Sequence, residues 1–270
     1  MPRKPFTDYL ETKPSWWERS LDEYSRSPVS AFLAEVVHLT DSVNHCIRHF
    51  PKRKDHSYTK DSQDSTYRIC ASTHAAIMGH FELMQRLLFA GLFEATRLIP
   101  EFDVVNFTRQ LTKDSNVSIE LVPLTAYRGR KAQIGQVIAD NLYGWHEPSN
   151  VNRHFQALVP KVTLYSNDET AELLLLWQLR HSIVHTAGWL TTPDSQKLRE
   201  LVPFGDRPII IGGSFILAVA RGFHRIVSRA VGRLAGSFGE MLPADLTDVE
   251  RHEVDNLLLV ASPRKSWFPR

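Results

Sequence analysis

The chain is poor in cysteine, has no long apolar segment and carries little excess charge. Among its 270 residues only Cys46 and Cys70 are cysteines, and the formal net charge is +2. Two cysteines cannot build a disulfide framework or a cysteine-based zinc cage, so a cytoplasmic location is expected. No apolar run approaches the roughly 20 residues of a membrane span, and the N-terminal segment lacks the apolar core of a secretory signal. The small positive charge permits contact with nucleic acid without demanding it.

The apolar residues of the chain follow mainly a helical period. Apolar residues recur at intervals of three and four along most of the chain, and only a few short stretches favour an extended backbone. Pro28, directly after Ser27, predicts a first helix that Pro51 stops. Further helices are predicted over about 65–98, 103–113, 131–143, 149–159, 166–188, 214–234 and 246–260. The predicted class is therefore all-α, a helical bundle with at most a short β element after the 166–188 helix.

The pattern divides the chain into three predicted parts. Residues 1–60 form an N-terminal helical extension with a basic loop, 61–240 the bundle, and 241–270 a C-terminal helix with a basic tail. The loop carries Lys52, Arg53 and Lys54 and is expected to be solvated; alternatively, these three cations could hold RNA phosphates. The tail, 262–270, is expected to be a disordered terminus; alternatively, its mix of basic and aromatic residues could stack on bases.

The helix over 166–188 has clear end signals. Ser166 and Glu169 have capping-box spacing, and Gly188 is a natural terminator. Its second half reads LLLLWQLRHSIVHTAG and places Arg180, His181 and His185 inside an apolar run. A buried helix normally excludes charge, because desolvating an unpaired guanidinium costs several kcal/mol. These three side chains should therefore have partners, and a ligand or a reaction is one way to supply them.

The three side chains can converge on one patch. At roughly 100° per residue, His181 and His185 lie on neighbouring positions one turn apart, and the long Arg180 side chain can reach around the helix. A neutral histidine could take a proton from a ribose 2′-hydroxyl, and a protonated one could return a proton to the leaving 5′-oxygen. Arg180 could stabilise the charge that develops on the phosphorane. Such a reaction needs no metal or other cofactor.

Arg180-His181-Ser182-Ile183-Val184-His185 resembles the signature of HEPN domains, the higher eukaryotes and prokaryotes nucleotide-binding superfamily. That signature is an arginine, four to six residues and a histidine, late in a helix of an all-α bundle. Gly188 and the short extended piece after it are similar to the RiboL-PSP-like branch. The resemblance covers about residues 65–240, and the six-residue motif is its sharpest part.

The resemblance implies a metal-independent endoribonuclease that binds RNA and dimerises through its motif helix. It also implies a role in antiviral defence, a toxin–antitoxin pair or RNA processing, with a possible partner protein or antitoxin. Arg180 and His185 would be catalytic, and His181 would be either a second acid–base group or an orienting residue. A leucine- and tryptophan-rich surface on the motif helix would suit the dimer interface. Ala187 stands where the antitoxin-partnered branch often has a modified tyrosine, which speaks against that mode of regulation.

Three alternatives remain open at this point. Arg180 and His185 could belong to a buried structural cluster with a carboxylate such as Glu82, or to a non-catalytic HEPN module that binds nucleotide or RNA. The two histidines could hold a metal, but Ser182 stands where metallopeptidases need a glutamate, and no third ligand is evident. A second pair, Arg68 and His74, satisfies the same spacing but lies closer to a predicted helix start.

Overall fold

The computed structural model describes residues 21–115 and 133–269, and within these ranges it is an all-α bundle with a single two-stranded sheet. The predicted class is therefore confirmed. None of the helices in these ranges is long and apolar enough to cross a bilayer. The stretch 117–124, one of the short stretches whose sequence favours an extended backbone, lies outside the described residues. The helices are α1 (Leu21–Arg26), α2 (Pro28–His49), α3 (Lys60–Ala95), α4 (Val104–Ser115), α5 (Ile134–Asn141), α6 (Pro148–Leu158), α7 (Asn167–His185), α8 (Thr192–Ser195), α9 (Gly213–Gly239) and α10 (Asp248–Leu257).

Proline and hydroxyl side chains set the ends of the first long helices. Helix α2 begins at Pro28 and ends before Pro51, as predicted. Helix α3 begins at Lys60 rather than near Ser65, because the Thr59 side chain accepts the Ser62 backbone N–H and caps the helix earlier. Sequence periodicity missed this start because the first turn of α3 is polar.

An aromatic cluster joins α2, α3 and α9 at the centre of the bundle. Phe32, Phe81 and Phe223 are each fully buried, one from each helix. Their ring centroids are separated by 4.7 to 5.5 Å. Such pairs add about 0.5–1.5 kcal/mol each to the stability gained from burial alone. Because α2 supplies one of the three rings, it shares its core with the bundle.

Helix α7 runs antiparallel to α3. His74 in α3 contacts Leu176 in α7, whereas Phe81, two turns further along α3, contacts Tyr165 just before α7 begins. The end of α7 at His185 therefore lies at the same end of the bundle as the start of α3. At the opposite end, Arg233 of α9 pairs with the buried carboxylate of Glu169 and fixes the first turn of α7.

The only sheet in the described part follows α7. Strand β1 (Trp189–Leu190) pairs antiparallel with β2 (Arg207–Pro208), with Trp189 opposite Pro208. Ala187 and Gly188 take the left-handed conformation, with φ of 54° and 84°, and turn the chain from α7 into β1. A short β element after the motif helix was predicted, and this hairpin confirms it.

The C-terminal segment 258–269, here called the strap, packs back along α2 and α9. The Arg264 guanidinium donates to both carboxylate oxygens of Asp41 in α2, at 2.8 and 3.0 Å. His224 of α9 is fully buried and lies 2.8 Å from the Ser262 hydroxyl. The Trp267 ring lies edge-on to His224, with centroids 5.1 Å apart. The expectation of a disordered terminus is therefore wrong for residues 262–269.

Candidate functional site

The first turn of α7 forms the predicted capping box. The Ser166 hydroxyl accepts the Glu169 backbone N–H at 3.3 Å, and the Glu169 carboxylate accepts the Ser166 backbone N–H at 2.9 Å. Since Glu169 also pairs with Arg233, this end of α7 is held from two sides. The opposite end, with Arg180, His181 and His185, carries the motif.

The structure brings the three motif side chains together. Arg180 Nη1 lies 3.4 Å from His185 Nε2, and the rings of His181 and His185 have centroids 4.8 Å apart. An arginine N–H can only donate, so Nε2 of a neutral His185 imidazole can accept this contact. An unprotonated imidazole nitrogen beside a permanent cation can accept a proton from a hydroxyl while the cation holds an anion.

The expected burial of the motif is wrong. His181 and His185 are exposed and Arg180 is half-buried, because the inward face of α7 consists of residues such as Leu173 and Trp177. The Arg180 Nε atom is buried and has no hydrogen-bond partner among the described residues. The suggested carboxylate partner, Glu82, lies 2.5 Å from Arg86 instead. The Glu82 carboxylate therefore does not neutralise the Arg180 guanidinium.

Two side chains of the segment after β1 flank the motif. The Lys197 ammonium donates to the largely buried carboxylate of Asp194 at 2.6 Å, and this bond holds the Asp194 pKa below its usual range. The pKa of His181 is lowered, chiefly by partial burial; Asp194 opposes the shift, while Lys197, His185 and Arg180 add to it. A lowered pKa favours the neutral imidazole near pH 7. The sequence pattern predicted neither flanking residue, and the Thr192-Pro193-Asp194 turn was the only signal near them.

The second Arg…His pair is split between core and solvent. His74 is fully buried, its Nε2 donates to the Leu176 carbonyl at 3.0 Å, and burial lowers its pKa to about 4. Arg68 is exposed. In an α-helix the Leu176 carbonyl is also the acceptor for the Arg180 backbone N–H. His74 therefore positions α7 one turn before the motif, a role that its sequence spacing did not reveal.

The basic loop lies at the same end of the bundle as the motif. Lys52, Arg53 and Lys54 are all exposed, and the Lys52 ammonium sits 5.2 Å from the Tyr58 ring centroid. Tyr58 donates to the Ile47 carbonyl, and the Ile47 side chain lies against the backbone at the start of α9. The strand that precedes α9 is hydrogen-bonded to the turn that ends α7. Loop and motif thus lie at one end of the bundle.

Exposed apolar side chains are concentrated around the end of α7. The predicted tryptophan-rich surface is wrong in one respect, because Trp177 is buried against Phe81. Eleven large apolar side chains are exposed in the described part of the chain, and five of them lie in α7 or the hairpin region after it: Val184, Trp189, Val202, Phe204 and Ile210. Such a concentration is typical of an interaction surface.

Among residues 21–115 and 133–269, no three His, Cys, Asp or Glu side chains lie close enough together to hold a metal ion. Comparison with known proteins gives no match to a family model, a curated protein or a solved structure.

Proposed function

We propose that this chain is a metal-independent endoribonuclease of the HEPN type. The observation that carries the proposal is the meeting of Arg180, His181 and His185 at the exposed end of α7. A permanent cation beside two imidazoles suits a substrate that is anionic and a reaction that moves two protons. The motif spacing and the β hairpin directly after the motif helix support the family assignment.

In the proposed reaction, His185 Nε2 accepts the proton of a ribose 2′-hydroxyl. The 2′-oxygen bonds to phosphorus while the bond from phosphorus to the 5′-oxygen breaks, and a protonated imidazole donates a proton to that leaving oxygen. The products are a 2′,3′-cyclic phosphate and a 5′-hydroxyl, so atoms and charges balance without a further reactant. Arg180 stabilises the extra negative charge on the phosphorane.

The second proton transfer needs a second imidazole, which is either His181 or, in a homodimer, the His185 of the second copy. A two-fold axis through the end of α7 would bring a second copy of His185 to the site. Val184, Trp189, Phe204 and Ile210 supply the apolar surface that such an interface would cover. Trp189→Glu should dissociate the dimer and lower cleavage, whereas Val249→Glu, at an exposed apolar position on α10, should change neither. Sedimentation velocity and an RNA cleavage assay measure both effects.

The test of the function is cleavage of a mixed RNA panel in the presence of EDTA. The purified wild type should cut, Arg180→Ala and His185→Ala should not, and Arg68→Ala should cut like the wild type. Equal cleavage by all four proteins would place the activity elsewhere. No cleavage by any of them, combined with retained RNA binding, would favour the non-catalytic module.

A second test uses growth, because an active ribonuclease should damage the RNA of the cell that makes it. Overexpression of the wild type should slow growth, and His185→Ala should relieve the effect. This outcome would also suit the proposed setting in antiviral defence or a toxin–antitoxin pair. Equal growth with both proteins, at equal protein levels, would count against the enzyme.

A further inference from the structure

An apolar groove runs between α7 and α9, beside the end of the strap. Its volume is about 480 Å³, which lies within the range of small-molecule sites. Both helices and the strap contribute apolar or small side chains to it, among them Leu175, Leu176, Phe215, Ala218, Gly222 and Trp267. The spacing of three and four between the α9 residues places them on one helix face. The groove is thus built by three separate parts of the chain.

An aromatic ring is held in place on the strap side of the groove. Trp267 is half-buried, its ring lies edge-on to His224, and the Arg264 guanidinium carbon lies 6.0 Å from its ring centroid. Arg264 is in turn fixed by its ion pair with Asp41. Since these contacts restrict the indole in advance, a flat ligand that stacks on it loses little entropy to ordering the protein.

An arginine side chain, Arg221, lies at the edge of the groove. Arg221 lines the groove, is exposed, and forms no ion pair within the described part of the chain. Arg225, one turn further along α9, is instead paired with Glu172 across the groove. Apolar walls, an aromatic ring and one available guanidinium match the chemistry of a nucleotide, whose base is flat and apolar on its faces and whose phosphate is anionic.

The groove leads toward the motif. Leu176 precedes Arg180 by four residues, which is one helical turn or about 6 Å along α7. We propose that the groove holds a base of the RNA strand next to the cleaved phosphate, stacked on Trp267, with Arg221 on the strand's backbone. This inference rests on the proposed ribonuclease function for the identity of the ligand, and it adds a second, non-catalytic substrate contact.

A variant that fills the groove tests the proposal without disturbing the core. A Cβ atom added at Gly222 meets no atom within 4 Å, so Gly222→Leu should place a side chain in the groove without a clash. Leucine is also a better helix former than glycine, so the fold should not be weakened. Gly232→Leu is the matched control, because Gly232 lies on the same helix, is exposed, has the same open space and does not line the groove.

The probe is a fluorescein-labelled, single-stranded 2′-O-methyl RNA decamer, which cannot be cleaved through a 2′-hydroxyl. Fluorescence anisotropy should show binding to the wild type and to Gly232→Leu, and binding weakened roughly fivefold or more to Gly222→Leu. Trp267→Ala should weaken binding similarly and Trp267→Phe should largely restore it. A decamer with abasic residues should bind all these proteins equally weakly. Melting temperatures of each variant confirm that it is folded.

Three results would overturn the proposal. The first is equal decamer affinity of Gly222→Leu and Gly232→Leu. The second is a change in oligomeric mass confined to Gly222→Leu, which would assign the groove to a second copy of the chain. The third is binding of nucleoside monophosphates, blocked by Gly222→Leu, without binding of the decamer. The decamer cannot be cleaved, so its binding is measured independently of the ribonuclease activity. If Gly222→Leu weakens decamer binding and Gly232→Leu does not, but the wild type cleaves no RNA, the ribonuclease proposal alone is contradicted. If the wild type cleaves RNA but both variants bind the decamer equally, the groove proposal alone is contradicted.

Discussion

Two Arg…His pairs of nearly equal spacing have opposite environments in this molecule. In α3, Arg68 faces solvent while His74 is fully buried and bonded to the backbone of α7. In α7, Arg180 and His185 meet at the surface, 3.4 Å apart. Spacing alone therefore does not define a site, and the surroundings of each helix decide which pair can reach a substrate.

Helix geometry explains the difference. Around an α-helix axis, side chains six residues apart, such as Arg68 and His74, point in directions that differ by roughly 120°. Side chains five residues apart, such as Arg180 and His185, differ by roughly 140°. Neither pair meets unless the long arginine bends around the helix. Helix α7 ends at His185, so Arg180 can bend toward an open end, whereas α3 continues to Ala95 with packed neighbours.

The largest expected effect separates the two pairs by activity. His185→Ala and Arg180→Ala should each lower RNA cleavage by roughly 10²- to 10⁴-fold, because each removes a proton acceptor or a charge stabiliser in the transition state. Arg68→Ala should leave the rate unchanged. Initial rates on one labelled RNA measure all three. A comparable loss of cleavage rate in Arg68→Ala would contradict the claim that only the α7 pair acts on the substrate.

The free energy of unfolding should distinguish the two Arg…His pairs in the opposite way from activity, with the larger effect in the α3 pair. His74→Ala removes a fully buried side chain and its bond to Leu176, so the free energy of unfolding should fall by roughly 3 kcal/mol. His185→Ala, at an exposed position, should change it by less than about 0.5 kcal/mol. Urea unfolding followed by circular dichroism gives both values. A large loss for His185→Ala would mean that the motif is structural.

The pH dependence of stability should follow His74. Its folded pKa is lowered to about 4 from an ordinary value of 6.5, so the unfolded chain binds the extra proton between these values. The contribution is therefore fully present above pH 6.5 and is lost as the pH falls toward 4, by roughly 3 kcal/mol in total. Burial lowers the pKa of His154 and His224 in the same direction.

Urea midpoints at several pH values measure this dependence. His74→Gln keeps a donor for the Leu176 carbonyl but does not titrate, so its stability should fall less between pH 6.5 and 4. His252→Gln, at an exposed position on α10, is the control and should behave like the wild type. An unchanged slope in His74→Gln would contradict the assignment of the effect to His74.

The smallest expected effect concerns the shape of the cation. Arg180→Lys keeps the charge but loses the planar fork of donors, so cleavage should fall roughly tenfold, less than in Arg180→Ala. Arg68→Lys should leave the rate unchanged. Equal rates for Arg180→Lys and Arg180→Ala would show that geometry rather than charge matters at this position.

Local signals in the sequence predicted much of the fold. Pro28, the Ser166–Glu169 capping box and the helical period act within one or two turns, so the all-α class and the start of α7 could be predicted from them. The early start of α3 was missed because its signal, the Thr59 side chain, precedes a polar turn without apolar periodicity.

What could not be predicted depends on contacts between distant segments. An apolar run around Arg180 suggested burial, but His181, Val184 and His185 are exposed because the neighbours of α7 do not cover this face of its last turns. A local sequence pattern cannot show where the packing neighbours of a helix end. The approach of Asp194 and Lys197 to His181 depends on the hairpin turning back toward α7. Similarly, the strap reaches α9 through a bond between Ser262 and His224, 38 residues apart in the chain.

The most direct test of the central claim is cleavage of an RNA that carries a single 2′-deoxy nucleotide at the cleaved position. The wild type should cut the all-ribose strand and leave 2′,3′-cyclic phosphate and 5′-hydroxyl ends, and it should not cut at the deoxy position. His185→Ala should cut neither strand. Cleavage at the deoxy position, or 3′-hydroxyl ends, would show that water rather than the 2′-hydroxyl attacks, and would contradict the chemistry assigned to Arg180, His181 and His185.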